Sequence, residues 1–243
     1  MPAGYGAALD PILEALGASG VNLDEAARSA IDGHVRLLLA WNEAVNLTSI
    51  RDGEAIARRH VADSLAGAVV AGSLQHATLL DLGSGGGFPG FPLAATLRET
   101  RVTLVDSVRK KAAFLAAVAA ATGLDRRVAV ARARAEELAP GQWDLVTARA
   151  VGSIAELVEL GLPLLASGGH LLVWKRGDIE AEIAAGARAA RVLGGSPPRF
   201  HPHPPELVHA AALAGHGIVI VRKLGPSPAG YPRDPAARDR RPW

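Results

Sequence analysis

Leu79-Leu80-Asp81-Leu82-Gly83-Ser84-Gly85-Gly86-Gly87-Phe88-Pro89-Gly90 decides how the rest of the chain is read. The apolar run from Thr78 to Leu82 has the length and content of a buried strand. It stops at Gly83, Gly85, Gly86 and Gly87, after which Pro92, Leu93, Ala94, Ala95 and Leu97 resume at helical spacing. Strand, glycine turn and helix together let a ligand approach the backbone. Glycine tolerates positive φ, and a turn without Cβ atoms leaves N–H groups open to a polar ligand. A second strand, Val102 to Val105, is closed by Asp106, 23 positions beyond Gly83. That spacing suits a carboxylate that accepts ribose hydroxyls across two strand ends. Asp81 is a second carboxylate where a dinucleotide or nucleoside would sit.

Outward from this turn, strands and helices alternate. The pattern predicts strand 78–82, helix 89–98, strand 101–106, helix 109–122, strands 127–131 and 143–148, helix 153–166, strand 169–175 and helix 178–193. This rhythm belongs to an α/β fold with a mostly parallel sheet covered on both faces. A Pro-rich segment, 197–205, holds an edge strand near 199–203, and 217–222 is a final strand. With no helix predicted between them, the two read as a terminal antiparallel hairpin. Before the turn, helices are predicted over 7–18, from Asn22 or Asp24 to Trp41, and over about 53–71. The expected organisation is a small N-terminal helical cap at 1–72, a ligand-binding domain at 73–224, and a disordered basic tail at 225–243.

Composition narrows the function. With 49% hydrophobic residues the chain can bury a full core. No apolar run reaches 18 residues, so no membrane span is expected, and no secretory signal pattern opens the chain. The absence of cysteine excludes disulfides, thiolate metal sites and cysteine nucleophiles. A cytoplasmic protein is the simplest expectation. The net charge of +2 is unevenly spread: residues 1–75 carry −4, residues 76–224 carry +4 and the tail carries +2. The positive excess lies on the domain with the glycine turn. It reads either as a footprint for phosphate or as solvated arginine-rich faces.

The glycine turn lacks the Lys-Ser or Lys-Thr of a Walker loop, and Phe88 stands where a dinucleotide fingerprint wants its third glycine. Asp81, Gly83, Gly85 and Gly87 instead match in full the Asp-x-Gly-x-Gly-x-Gly motif of S-adenosylmethionine-dependent methyltransferases. Further stretches extend the match: Trp41-Asn42, Asn46-Leu47-Thr48, Arg51-Asp52, His60 with Asp63-Ser64-Leu65, Phe88-Pro89-Gly90, Asp106-Ser107, Lys110-Lys111, Phe114-Leu115, Arg134 to Glu137, Arg149-Ala150 and Lys175. On these residues, between 41 and about 176, the chain resembles the RsmG (GidB) family, the guanine-N7 methyltransferases of 16S ribosomal RNA. The resemblance implies a class I methyltransferase fold, Rossmann-like, with a small helical cap. The stretch 184–215 and the tail carry no part of the match.

The resemblance also implies S-adenosylmethionine at the carboxyl ends of the strands, with Asp81, Gly83, Gly85, Gly87 and Phe88 along it and Asp106 on its ribose. Ala135 and Glu136 would frame the adenine. Arg149 would lie beside the cofactor's carboxylate or the incoming base, positioning the one or acting as a base on the other. Read without the family, Glu136 is a surface charge beside Arg134, and Arg149 a salt bridge at a sheet end. The lone pair of guanine N7 is nucleophilic at neutral pH, so alignment supplies most of the rate and no catalytic acid or base is assigned. RNA, or the small ribosomal subunit, would be gripped through phosphate by Arg109, Lys110 and Lys111, by Lys175 and Arg176, and by Arg58 and Arg59 on the cap. Arg233, Arg238, Arg240 and Arg241 would add non-specific attraction. His201-Pro202-His203 has the look of a metal pair without a third ligand, so no metal is expected. A monomer is expected. A small-molecule methyltransferase, under a closed apolar lid, and a non-catalytic cofactor-binding RNA-associated protein are the rival readings.

Overall fold

The computed structural model describes residues 1–149 and 152–243; Ala150 of the Arg149-Ala150 pair lies outside them. The described strands form one sheet in the order β3-β2-β1-β4-β5-β7-β6. They are β1 (Thr78–Leu82), β2 (Arg101–Val105), β3 (Val128–Ala131), β4 (Trp143–Arg149), β5 (Leu165–Arg176), β6 (Arg199–Pro202) and β7 (His216–Arg222). β1 to β5 run parallel, and β7 is antiparallel to both β5 and β6. Neighbours of β1 lie on both sides, β2 on one and β4 on the other. That reversal of strand order opens a crevice at the carboxyl ends, where open α/β sheets bind ligands.

Alternation along the strands supplies two cores. Leu79, Val102, Leu104, Leu145, Leu172 and Trp174 point to one face. Leu80, Leu82, Val105, Val146, Leu171 and Val173 point to the other, as expected of a sheet buried on both sides. The second face is covered by α7 (Ile154–Gly161) and α8 (Glu180–Val192). The first is covered by α5 (Gly90–Thr96), α6 (Arg109–Ala121) and the N-terminal helices α1 (Tyr5–Ala18), α2 (Glu25–Val45), α3 (Gly53–Ile56) and α4 (Asp63–Ala71). Tyr5, Ile12, Val35, Leu38 and Leu65 join sheet residues in one cluster, so the cap and the sheet share a core. Asp24 caps α2 by accepting the Ala27 N–H at 2.8 Å. Between α3 and α4 the chain makes a π-helical turn, Ala57–Ala62. No helix among the described residues is long and apolar enough to cross a membrane.

Two expectations are corrected here. β6 and β7 pair as predicted, but a short helix, α9 (Pro205–Ala211), connects them. Its Leu207 and Ala211 fill a gap beside the N-terminal helices. The tail is ordered. Asp234 caps α10 (Pro235–Arg240), and the tail is tied to α7 through Glu159, whose side chain is fully buried. Arg233 donates to both Glu159 oxygens, Nε to Oε1 at 2.9 Å and Nη2 to Oε2 at 2.6 Å, and Trp243 Nε1 donates to Oε2 at 2.6 Å. Tail composition alone reads as disorder. One buried carboxylate that collects a guanidinium and an indole reverses it.

Candidate cofactor loop and basic cavity

The loop after β1 is where the sheet meets both the cap and solvent. Gly83 is exposed at φ +66° and Gly85 half-buried at φ +52°, conformations that favour glycine. The Gly85 N–H donates to Asp106 Oδ2 at 3.0 Å, and the Val108 N–H to Oδ1 at 2.8 Å. Asp106 is 7% exposed, and each of its oxygens keeps further acceptor capacity, so the carboxylate that closes β2 braces the loop with its acceptors not all used. Ala135 and Glu136 form a short 3₁₀ turn beyond β3 and are half-buried. Glu136 is not a free surface charge, because Arg238 of the tail pairs with it at 2.5 Å. An exposed glycine backbone, a braced carboxylate and an adjacent half-buried turn fit a nucleoside cofactor.

Other residues expected at the cofactor lie beneath the loop. Asp81 is fully buried; its Oδ1 accepts the Thr147 hydroxyl at 2.7 Å and its Oδ2 the Gly90 N–H at 3.2 Å. Burial lifts its pKa to about 6 against these hydrogen bonds. It is a strut holding the loop to the sheet and has no surface for a ligand. A Cβ on Gly90 would stand 2.5 Å from Leu104 and 2.6 Å from Asp81. Gly90 therefore provides the close helix-to-strand packing that a dinucleotide fingerprint would place at Phe88.

Gly87 faces the cap, where a Cβ would meet His34 Nε2 at 2.7 Å. His34 on α2 is buried among Phe88, Phe91 and Phe114. Burial lowers its pKa to about 4. The neutral ring donates from Nε2 to the Gly86 carbonyl at 2.7 Å. Sequence reasoning missed this support; the only signal was a histidine on the buried stripe of a helix.

Phe88 is also a correction. It is 6% exposed, stacked on His60 with ring centroids 4.7 Å apart. The Arg149 guanidinium lies 5.3 Å from its ring centroid on the β4 side. Burial and the neighbouring Arg149 charge lower the His60 pKa to about 3. Arg149 itself does not reach toward the glycine loop: its Nη1 pairs with Asp63 Oδ2 at 3.0 Å. Burial would raise the Asp63 pKa, but hydrogen bonds from His203 and His216 and the Arg149 charge outweigh it and hold the carboxyl well below its ordinary range.

Beside His60 and Arg149 opens a cavity of about 670 Å³ in whose wall Arg59, Arg149, Lys175, Arg176, His60 and His216 outnumber the carboxylates Asp63 and Glu182. Arg59 and Arg176 are exposed there. Lys175 is held by Glu182 at 2.6 Å and the Gly152 carbonyl at 2.8 Å, and Arg58 pairs with Glu54 at 2.9 Å on the helix surface. Arg109 and Lys110 are exposed and Lys111 half-buried at the start of α6, beside the Asp106 end of β2. The expected RNA-binding residues thus divide into two groups, one at the cavity and one at the α6 start, with Arg58 committed elsewhere. In the tail, Arg233 and Arg238 are spent on Glu159 and Glu136.

Comparisons with known proteins show what the chain is similar to. The family model for rRNA small subunit methyltransferase G (GidB) matches residues 28–203. A curated ribosomal RNA small subunit methyltransferase G of Roseiflexus castenholzii is 40% identical over 239 residues, covering 96% of this chain and 99% of its own length. One of Sorangium cellulosum is 41% identical over 224 residues, 90% of this chain and 89% of that protein. Among solved structures, cofactor-bound Rv0187 from MTB aligns with a TM-score of 0.52 at 19% identity, over 78% of this chain and 89% of that one. A SAM-dependent O-methyltransferase from Thermotoga maritima aligns with a TM-score of 0.52 at 13% identity, over 79% of this chain and 72% of that one. At such identities the structural likeness speaks for the class I methyltransferase fold alone.

Proposed function

The chain belongs to the rRNA small subunit methyltransferase G family, and from that premise we propose that it methylates N7 of a guanine in 16S ribosomal RNA with S-adenosylmethionine. The observation that carries this reading is the pair of surfaces meeting at Phe88: an exposed glycine loop with its carboxylate on one side, a basic cavity on the other.

On this reading Gly83, Gly85, Asp106, Ala135 and Glu136 hold the cofactor, which supplies an electrophilic methyl group when bound. Asp106 receives the ribose hydroxyls with the acceptor capacity left by Gly85 and Val108. Arg238 steadies Glu136 against the adenine side. Arg59 and Arg176 at the cavity, with Arg109, Lys110 and Lys111 at the start of α6, take phosphate contacts that hold the RNA in register. Arg149 orients the cap through Asp63 and takes no proton. The N7 lone pair is free at neutral pH, so positioning two reactants accounts for the chemistry without a general base. A cavity open between basic side chains favours a nucleic-acid acceptor over a small molecule under an apolar lid. A monomer acting in the cytoplasm, where an rRNA substrate is met, completes the proposal.

The test is methyl transfer. Purified protein and labelled S-adenosylmethionine are incubated with unmodified small subunits, and the digested RNA is examined for 7-methylguanosine. Label at one guanine N7 is expected. Cofactor binding without label in any ribosomal RNA would overturn the proposal in favour of a non-catalytic or small-molecule role.

A further inference from the structure

We propose that Asp63, His203 and His216 form a binding site for one divalent transition metal, with zinc the best match to its ligand chemistry. Among the described residues they are the one group of three metal-ligating side chains whose donor atoms converge, all within 4.8 Å of one another. They come from separate parts of the chain: the start of α4, the residue after β6, and the start of β7. His203 Nε2 lies 2.9 Å and His216 Nδ1 3.2 Å from the same atom, Asp63 Oδ1. Ligands about 2.0–2.1 Å from a tetrahedral zinc stand about 3.3 Å apart, so the ion can enter by an opening of a few tenths of an ångström along those two edges. Two imidazoles and a carboxylate are a donor set that suits zinc and its first-row neighbours, not calcium or magnesium.

The surroundings hold the three side chains in place. Asp63 is fixed on every side: Arg149 takes Oδ2 at 3.0 Å, and Trp174 Nε1 donates to its backbone carbonyl at 2.6 Å. The two histidines are tied to one another by the His203 N–H to His216 carbonyl bond at 3.2 Å. The Arg149 bond is to the candidate carboxylate ligand itself, as in the outer shell of a metal site, and the other two hold the backbone that carries the three side chains. His203 is 4% exposed, whereas His216 reaches the wall of the basic cavity. The fourth coordination position therefore opens toward that cavity, where a water or a phosphate oxygen completes the site. Asp63 belongs to the N-terminal helices, and the histidines to the far edge of the sheet. A bound ion would staple the two beside the RNA-facing surface, independently of which base is methylated.

The experiment uses full-length protein without a histidine tag, stripped with a chelator and titrated with Zn²⁺ alone by calorimetry, and with Co²⁺ in the visible. One equivalent, intense cobalt bands of tetrahedral type and a zinc-dependent rise in the unfolding midpoint are expected. His203→Gln and His216→Gln should each lower affinity by at least roughly tenfold, while His201→Gln and His209→Gln, outside the cluster, should bind as the parent does. Absence of saturable binding, or equal binding by the His203 and His216 variants, overturns the proposal and leaves a hydrogen-bonded cluster. Should His203→Gln not fold, the more exposed His216→Gln and the midpoint of the parent protein with and without Zn²⁺ decide the matter; no midpoint shift counts against the site.

Discussion

Asparagine at position 81 tests whether the glycine loop rests on a carboxylate kept out of water. The folded protein holds the Asp81 proton more tightly than the unfolded chain does, with a pKa of about 6 against an ordinary 3.8. Its contribution to stability is therefore complete below about pH 4 and is lost as the pH rises through about 6. A difference of this size is worth roughly 3 kcal/mol. Asparagine cannot ionise, yet it preserves the contacts. Its amide oxygen accepts from Gly90 and its amide N–H donates to the Thr147 hydroxyl oxygen, whose own proton turns to the Leu80 carbonyl now 3.4 Å away. Urea unfolding of Asp81→Asn and the parent should be followed from pH 4 to pH 7.5. The variant's stability relative to the parent should rise by roughly 2–3 kcal/mol over that range. Asp144, whose pKa is lowered by Ala77 and Thr78 hydrogen bonds despite some desolvation, adds an opposite slope that is common to both proteins and cancels in the difference. A difference that stays flat with pH would refute the argument.

Asp106→Ala removes the acceptor shared by the loop and the proposed ribose. It should weaken S-adenosylmethionine binding by roughly 10–100-fold, the range for hydrogen bonds to a charged group; unchanged affinity by calorimetry would remove the assignment. Changing Lys110 and Lys111 together to alanine should flatten the salt dependence of RNA binding, by about 0.7 in log–log slope for each single-strand phosphate that the variant no longer neutralises. An unaltered slope would move the RNA to the Arg59 and Arg176 side. Glu159→Gln weakens the anchor of Arg233 and Trp243 and should cost roughly 1–3 kcal/mol. Trypsin should then cut at Arg233 and Arg238 markedly faster, and an unchanged digestion rate would mean that the tail is held by something else.

The parallel sheet was legible because burial on both faces writes itself into short apolar strands such as 78–82 and 143–148, and the glycine turn fixed its ligand-binding end. The role of each residue in that turn was less legible. Asp81 and Asp106 both end strands and are equivalent to a reader of sequence. Only the parallel register, which sets Asp81 opposite Leu104 and Thr147, turns one inward and leaves the other at the loop's edge. The tail misled for a related reason. Its Gly, Pro, Arg and Asp content describes a chain without a core of its own, whereas its order comes from Glu159, far away in sequence. His203 was set aside with His201 because no third ligand stands near them in sequence. The side chains it meets in the fold, Asp63 and His216, lie 140 and 13 positions from His203, and no local pattern could join them.

The arrangement around Phe88 explains why the methyltransferase sheet carries the helices that precede it. A glycine loop flexible enough to accept positive φ at Gly83, Gly85 and Gly87 has little structure of its own to hold it. Below, the sheet supplies Asp81 through Gly90. Above, α2 supplies His34 through the Gly86 carbonyl, and the π-helical turn supplies His60 as a stacking plate for Phe88. Arg149 then closes the assembly by bridging the end of β4 to Asp63 at the start of α4. Asp81, His34 and Arg149 each make these contacts through a polar atom that has its partner, Gly90 N–H, the Gly86 carbonyl and the Asp63 carboxylate in turn, the arrangement in which such groups fix one geometry rather than several. His60, which stacks on Phe88 from the cap side, and Arg149, which lies over the same ring from the end of β4, form the inner wall of the basic cavity. One wedge of packing thus sets the position of the glycine loop and the shape of the surface opposite it, which is what the proposed reaction, driven by alignment, requires of its scaffold.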